Sequence, residues 1–338
     1  MESIIYPTFT VPTYKCCSLI LTFDDIEEIL PGTRIVQVGL GELEKSRHLF
    51  EDLKVNWLFS PKSWPVYASG FNPGIPEPVQ IFQFDVNEKR MQFSNSTGRS
   101  SMTYSEMVAV LSHTEQPSVS MACLPCEEAI DGEVINANSK SDKSKRRLNR
   151  RTQSITECMQ AIRSSDRLRF VLPITSLDSA IATVDTVSEL GNKAVGVSGS
   201  VDRIRAITAK QEAGAKKFVQ IPYSEDIHSM LGAVKEVLKS GSADVVETDL
   251  PFLAAKKGLL ITPSFELEDL TLSSCFSNND VVMDTTGMKV PRLVEQAALH
   301  TKSYIHHLFR CDELSGPIIL ATVNLFQFDR LFSQYQHK

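Results

Sequence analysis

Between residues 168 and 248 the chain alternates four short apolar runs with three helical segments. The runs are "LRFVLPI" (168–174), "KAVGV" (193–197), "KKFVQI" (216–221) and "ADVVET" (243–248); the helical segments span 177–190, 201–213 and 225–239. Strands that lack a polar side must be covered on both faces, and a connection of helical length returns the chain to pair in parallel. This pattern limits the chain to an α/β fold, either a barrel or a doubly wound sheet. In both, the residues that bind or react sit at the C-terminal ends of the strands.

The same alternation reaches back to about residue 103, where "YSEMVAVLSH" reads as a helix and "SVSMACL" as a strand. Before that the chain is β-rich, with predicted strands at 34–40, 55–60, 79–85 and 91–95, and the Pro- and Gly-laden "SPKSWPVYASGFNPGIPEP" predicts a loop. Taken in order, a β-rich part (1–100), βα repeats (101–290) and a C-terminal helical pair (291–338) make one domain. With 338 residues, 42% hydrophobic and 22% charged, the chain is long enough to bury a full core. The start fits neither a signal nor a transit peptide, and no apolar run reaches the roughly 18 residues that cross a bilayer, so an intracellular protein without an integral membrane segment is expected. A net charge of −6 speaks against coating nucleic acid by bulk electrostatics. Seven scattered cysteines predict reduced thiols.

The stretch with most chemical promise is "SADVVETDLP" (242–251), where a buried strand runs into Asp244, Glu247 and Asp249 before Leu-Pro. A second is the basic run "KSDKSKRRLNRR" (140–151). Its Lys145, Arg146, Arg147, Arg150 and Arg151 follow a predicted strand end and are candidates for phosphate contacts, although most such runs are solvated surface. Three other features read as structural. "VGLGELEK" (38–45) lacks the third glycine of a dinucleotide fingerprint, and "CLPC" (123–126) has no second ligand pair. His300, His306 and His307 fall largely off the apolar stripe of one amphipathic helix.

Three passages, in order, carry a resemblance. They are "GRSSMTYSEMVAVLSHTEQPSVSMACLPCEE" (98–128) with the basic residues after it, "SGSADVVETDLPFLAAKKGLLITPSF" (240–265) and "HTKSYIHHLFRCDELSGPIILATVNLFQFDRLF" (300–332). Together they resemble the tRNA-guanine transglycosylase family over roughly residues 15 to 335, most strongly near the C-terminus. The resemblance implies a TIM (β/α)8 barrel with additional N-terminal strands and C-terminal helices. It also implies an enzyme that exchanges guanine at the tRNA wobble position for queuine through two aspartates, one a nucleophile and one a proton carrier.

Carried over residue by residue, the nucleophile's place is Glu247, one methylene longer than Asp, and the proton carrier's place is Leu124. The family's base-recognising Gly-Gly turns are replaced by "VLPITS" and "VGVSGS". Its zinc ligands, three cysteines and a histidine, fall on Arg292, Val294, Ala297 and Val323, none of which donates to zinc. The expectation is therefore no catalytic residues, no metal and no cofactor.

The eukaryotic enzyme of this family, queuine tRNA-ribosyltransferase, pairs a catalytic subunit with a noncatalytic accessory subunit. "VETDLP" and "KSKRRLNRR" resemble the accessory type. That type implies a heterodimer joined largely through the C-terminal helices, contact with tRNA through the complex, and a location in the cytoplasm or peripherally at the mitochondrial outer membrane. It serves tRNAs for Asp, Asn, His and Tyr, whose anticodons have the form GUN. Two rival expectations are a divergent transglycosylase or nucleoside hydrolase using Glu247 or Asp249, and a solitary degenerate barrel acting as a scaffold.

Overall fold

A computed structural model of the chain describes residues 6–10, 23–30, 35–39, 66–69, 81–95, 98–112, 119–124, 142–165, 168–174, 179–208, 215–222 and 224–336. In chain order these form β1 (Tyr6–Thr10), α1 (Phe23–Ile29), β2 (Ile35–Gly39), β3 (Val66–Ser69), β4 (Ile81–Asp85), β5 (Arg90–Asn95), β6 (Gly98–Met102), α2 (Tyr104–Ser112) and β7 (Val119–Cys123). The βα repeats follow: α3 (Asp142–Ser164), β8 (Arg169–Pro173), α4 (Ala180–Leu190), β9 (Ala194–Ser200), α5 (Val201–Thr208), β10 (Lys216–Gln220), α6 (Ile227–Ser240), β11 (Val245–Thr248) and α7 (Leu250–Lys256). A hairpin of β12 (Leu259–Ile261) and β13 (Leu267–Asp269) leads to α8 (Arg292–Ala298), α9 (Lys302–Arg310) and α10 (Ser315–Gln336).

Strands β7 to β11 make a curled parallel sheet in sequence order. The ladder continues in parallel from β11 through β1, β2 and β3 and returns to β7, so the eight strands close. β4, β5 and β6 form a separate antiparallel sheet inserted after β3.

The period of two along each strand explains the unbroken apolar runs. Alternate residues point inward to a small cluster of Tyr67, Cys123, Val171, Phe218 and Val245. The others, among them Ala122, Phe170, Leu172, Val219 and Val246, join the main core beneath the helices. Gly196 sits where β9 shifts register against β8, and a Cβ there would lie 2.1 Å from Lys216 O, so only glycine lets β9 and β10 approach this closely. Helix α6 shows how local signals agree with packing. Asp226 caps its start by accepting from His228 N at 3.0 Å, Gly241 ends it in the left-handed conformation, and Ile227, Met230, Leu231, Val234, Val237 and Leu238 bury one face.

Several expectations are corrected. β3 lies inside the stretch predicted as a loop, because "VYAS" pairs with strands on both sides and that pairing outweighs the flanking prolines. The strand predicted at 55–60 lies outside the described residues. β1 and β6 were not anticipated; Pro7 masks β1, but it precedes the first residue paired to β2, Thr8, and proline is tolerated at such a strand start. The helix expected across 293–309 breaks in two at Leu299–Thr301. There Val282 N donates to His300 O at 2.8 Å and Lys302 N to Asp280 O at 2.9 Å, while Thr301 caps α9 by accepting from Tyr304 N. Backbone pairing with 280–283 takes the place of about one turn of helix. No helix among the described residues is long and apolar enough to cross a membrane.

Candidate functional site

The three acids of "SADVVETDLP" occupy three different environments. Asp244 precedes β11 at its N-terminal end, where its Oδ2 accepts from Lys217 N at 2.8 Å; it is a strand-start tie, away from the tip where the chemistry was sought. Glu247 points into the barrel and is fully buried. Asp249 follows the strand as the N-cap residue of α7.

Glu247 Oε1 accepts from the Tyr67 hydroxyl at 3.1 Å and from Ser198 Oγ at 2.9 Å. Ser198 in turn accepts from Gln220 Nε2 at 2.9 Å. The network ties β3, β9, β10 and β11 across the lumen, and the Tyr67 ring leans on Phe218 with centroids 5.0 Å apart. A carboxylate oxygen held by two hydroxyl donors is both less nucleophilic and fixed in place. Attack needs a reacting atom within about 3.5 Å along an open approach. Here two protein hydroxyls already occupy Oε1.

Asp249 has the opposite problem. It is 6% exposed, its Oδ1 has no hydrogen-bond partner, and its side chain makes no capping bond to α7. Burial pushes its pKa up to about 7, against weaker pulls downward from its own backbone N–H and from Lys256. A carboxyl about half protonated at neutral pH is the physical consequence.

Leu124, the place of the proton carrier, ends up in the main core between sheet and helices, whereas Glu247 lies in the lumen, where the neighbouring Cys123 takes the inward position. The fold does not bring Leu124 and Glu247 together. At the ends of β8 and β9, where the resemblance expects Gly-Gly turns, Ile174 is buried, its N–H donates to Ser198 O at 2.8 Å, and its carbonyl accepts from Arg203 Nη1 at 3.0 Å. Part of the first turn, 175–178, lies outside the described residues.

The basic run forms the first turns of α3. Lys145 and Arg146 are exposed and Arg150 and Arg151 partly buried; the side chain of Arg147 lies outside the described residues. The later turns of α3 bury Ser154, Cys158, Ala161 and Ile162, with Ser154 bonded to the Tyr104 hydroxyl at 2.7 Å. Lys193, just before β9, holds Arg163 O and pins the end of α3 at the N-terminal side of the sheet. At about 1.5 Å per residue, a helix of 23 residues is about twice as long as a strand of five. The basic turns therefore stand beyond the C-terminal ends of the strands.

In the C-terminal part, Arg292 is exposed, while Val294, Ala297 and Val323 are buried in the core. Apolar side chains and a guanidinium offer zinc no donor, and among the described residues no three His, Cys, Asp or Glu side chains gather as a metal site. The residues present do not fit the metal of the family resembled. His306, expected off the apolar stripe, is buried. Its Nδ1 lies 3.1 Å from Leu270 O, and because a carbonyl only accepts, Nδ1 carries the proton. Its ring meets Phe276 edge-on. Among the described residues, the exposed large apolar side chains, Leu272, Phe276, Val281, Leu299, Tyr304 and Leu314, all fall between 272 and 314.

Sequence reasoning missed Tyr67, Ser198, Gln220 and Asn324. Tyr67 was hidden by its loop-like surroundings. Asn324 did carry a signal, one of two amides (with Gln327) within the apolar "IILATVNLFQF", since a buried polar side chain must find partners.

The fold and site define a class: a parallel α/β protein with a strand-end carboxyl tied down inside the lumen. Curated proteins similar to the chain bear queuine tRNA-ribosyltransferase names. It is 25% identical over 223 residues to "Queuine tRNA-ribosyltransferase accessory subunit 2" of Aedes aegypti, spanning 60% of this chain and 53% of that protein. It is 23% identical over 253 residues, 63% of this chain, to a "Queuine tRNA-ribosyltransferase-like protein" of Plasmodium falciparum (isolate 3D7), covering 59% of that protein. A second Plasmodium falciparum protein of the same description is 27% identical over 117 residues, 28% of this chain and 48% of the other. The chain thus spans about half the length of the curated relatives it matches. No family model matches it.

Proposed function

We propose that the chain is a TIM-type (β/α)8 barrel serving as a noncatalytic accessory subunit of a queuine tRNA-ribosyltransferase. In this reading it pairs with a catalytic subunit that exchanges guanine for queuine at the wobble position of tRNAs with GUN anticodons, in the cytoplasm or at the mitochondrial outer membrane. The observation that carries the reading is Glu247: the acid at the nucleophile's place is fully buried with Oε1 engaged by Tyr67 and Ser198, and Leu124 lies in a different layer. The names of the similar proteins support a tRNA-modification role.

Two further features fit. The exposed apolar residues at 272–314 suit the C-terminal helical part to a partner-facing surface, with Tyr304 stacked on His300 at 5.1 Å. Lys145, Arg146, Arg147, Arg150 and Arg151, on turns that overshoot the strand ends, suit contact with tRNA phosphates, which fixes orientation without reading sequence. The proposal is tested by assaying queuine insertion into tRNA with each subunit alone and with the mixture, following assembly by size exclusion. The chain alone is expected to be inactive and the mixture active as a heterodimer.

One observation favours a second reading. Asp249 is buried, its pKa is raised to about 7, so that it can give or take a proton near neutrality as a general acid or base does, and its Oδ1 has no partner of its own. A divergent transglycosylase or nucleoside hydrolase would then use it with Glu247. Base exchange or nucleoside cleavage by the purified chain, lost on Asp249→Asn, would favour that reading over the first.

A further inference from the structure

In the family resembled, a metal holds the C-terminal segment, and this chain lacks its donors. The structure shows what stands there instead. Val294 and Ala297 lie on the inner face of α8, Val323 lies in α10, and the two helices pack against each other with all three side chains buried. Apolar contact in a dry, close-packed interior supplies cohesion without coordination.

On either side of this contact sits a polar clasp. At the start of α8, whose N-cap position is Pro291 and offers no side-chain cap, Glu28 of α1 supplies one. Its Oε1 accepts from Leu293 N at 3.1 Å and lies 3.6 Å from Arg292 Nε. The position that would hold the first cysteine is thereby joined to the N-terminal part of the chain. Directly after Val323, the fully buried Asn324 uses its whole amide on the backbone of the strand-end region. Its Oδ1 accepts from Ile261 N at 2.7 Å, and its Nδ2 donates to Leu259 O at 2.9 Å and Pro251 O at 3.3 Å. α10 is thus bolted to β12 and to the Leu250-Pro251 turn that follows Glu247 and Asp249.

We propose that the C-terminal part is closed without a metal, by an apolar lock of Val294, Ala297 and Val323 flanked by the Glu28 and Asn324 clasps. Asn324 is the positioning residue that fixes α10 against the strand-end segment. This inference does not depend on the subunit reading, because metal content and melting are measured without tRNA or a partner.

The test uses the full chain, purified without chelator, with its zinc content measured by elemental analysis and its melting recorded with and without EDTA. The lock predicts well under one zinc per ten chains and melting temperatures equal within about 1 °C in both conditions. Asn324→Ala is expected to lower the melting temperature by about 6 °C or more, and the milder Glu28→Gln by about 2 °C, each equally with and without EDTA. Zinc near one per chain, or a melting temperature lowered by EDTA, overturns the proposal. So does an unchanged melting temperature in Glu28→Gln, which remains measurable should Asn324→Ala not accumulate.

Discussion

The lumen around Glu247 and the C-terminal helices around Val323 both contain positions where the resemblance places chemistry, and the two hold those positions by different means. In the lumen a buried carboxyl accepts from hydroxyls on β3 and β9. In the helices Val294, Ala297 and Val323 are buried in apolar packing, and the polar contacts are made one residue on, by Asn324. The contrast teaches that a buried acid and a helix–helix contact are held in place by different physics. A buried acid stays charged only if it is hydrogen-bonded, and otherwise tends to take up a proton as Asp249 does, whereas a helix–helix contact can hold by apolar packing alone.

Breaking the lumen network should have the largest effect. Glu247→Ala leaves the Tyr67 and Ser198 hydroxyls without their acceptor and opens a cavity, and it should cost about 4–5 kcal/mol in denaturant unfolding. Glu247→Gln keeps an acceptor oxygen and should cost only about 1 kcal/mol. A catalytic Glu247 would show the reverse priority, with activity lost and stability retained in the Gln variant.

Asp249 gives the next largest effect, and it depends on pH. Its folded pKa is raised from 3.8 to about 7, so between those values the folded chain keeps a proton that the unfolded chain has lost. Stability from this group is therefore full below about pH 4 and falls as pH rises to about 7. Asp249→Asn removes the dependence. At pH 8 it should be more stable than the parent by about 3–4 kcal/mol, with the difference vanishing below about pH 4 in urea melts.

The C-terminal surface should respond in the opposite sense to the lumen. Phe276→Ser with Tyr304→Ala removes exposed side chains, so unfolding should change by less than about 1 kcal/mol. Pairing with the catalytic subunit should weaken about tenfold or more, read by size exclusion across concentrations. The smallest effect is expected from Lys145→Glu with Arg146→Glu. tRNA affinity of the complex should fall a few-fold at physiological salt and more at low salt, with no change in melting.

What the sequence made legible follows from local physics. The apolar runs of 168–248 became strands β8 to β11 because strands buried on both faces need no polar partner choice. β1 and β3 were not legible, since proline-flanked segments become strands only when both neighbours are in place. The same limit applied to the site. Glu247 could be singled out by its position before Leu-Pro, but its partners Tyr67 and Ser198 lie 180 and 49 residues away. The burial of His306 depended on the 270–276 segment folding over α9, which no helical periodicity encodes.

The most direct test of the central claim is a base-exchange assay with labelled guanine and substrate tRNA, comparing the purified chain, a catalytic queuine tRNA-ribosyltransferase subunit, and the two together. The account predicts no exchange by the chain alone and exchange by the pair, unchanged when Glu247→Gln replaces the parent chain. Exchange by the chain alone, abolished by Glu247→Gln, would contradict it.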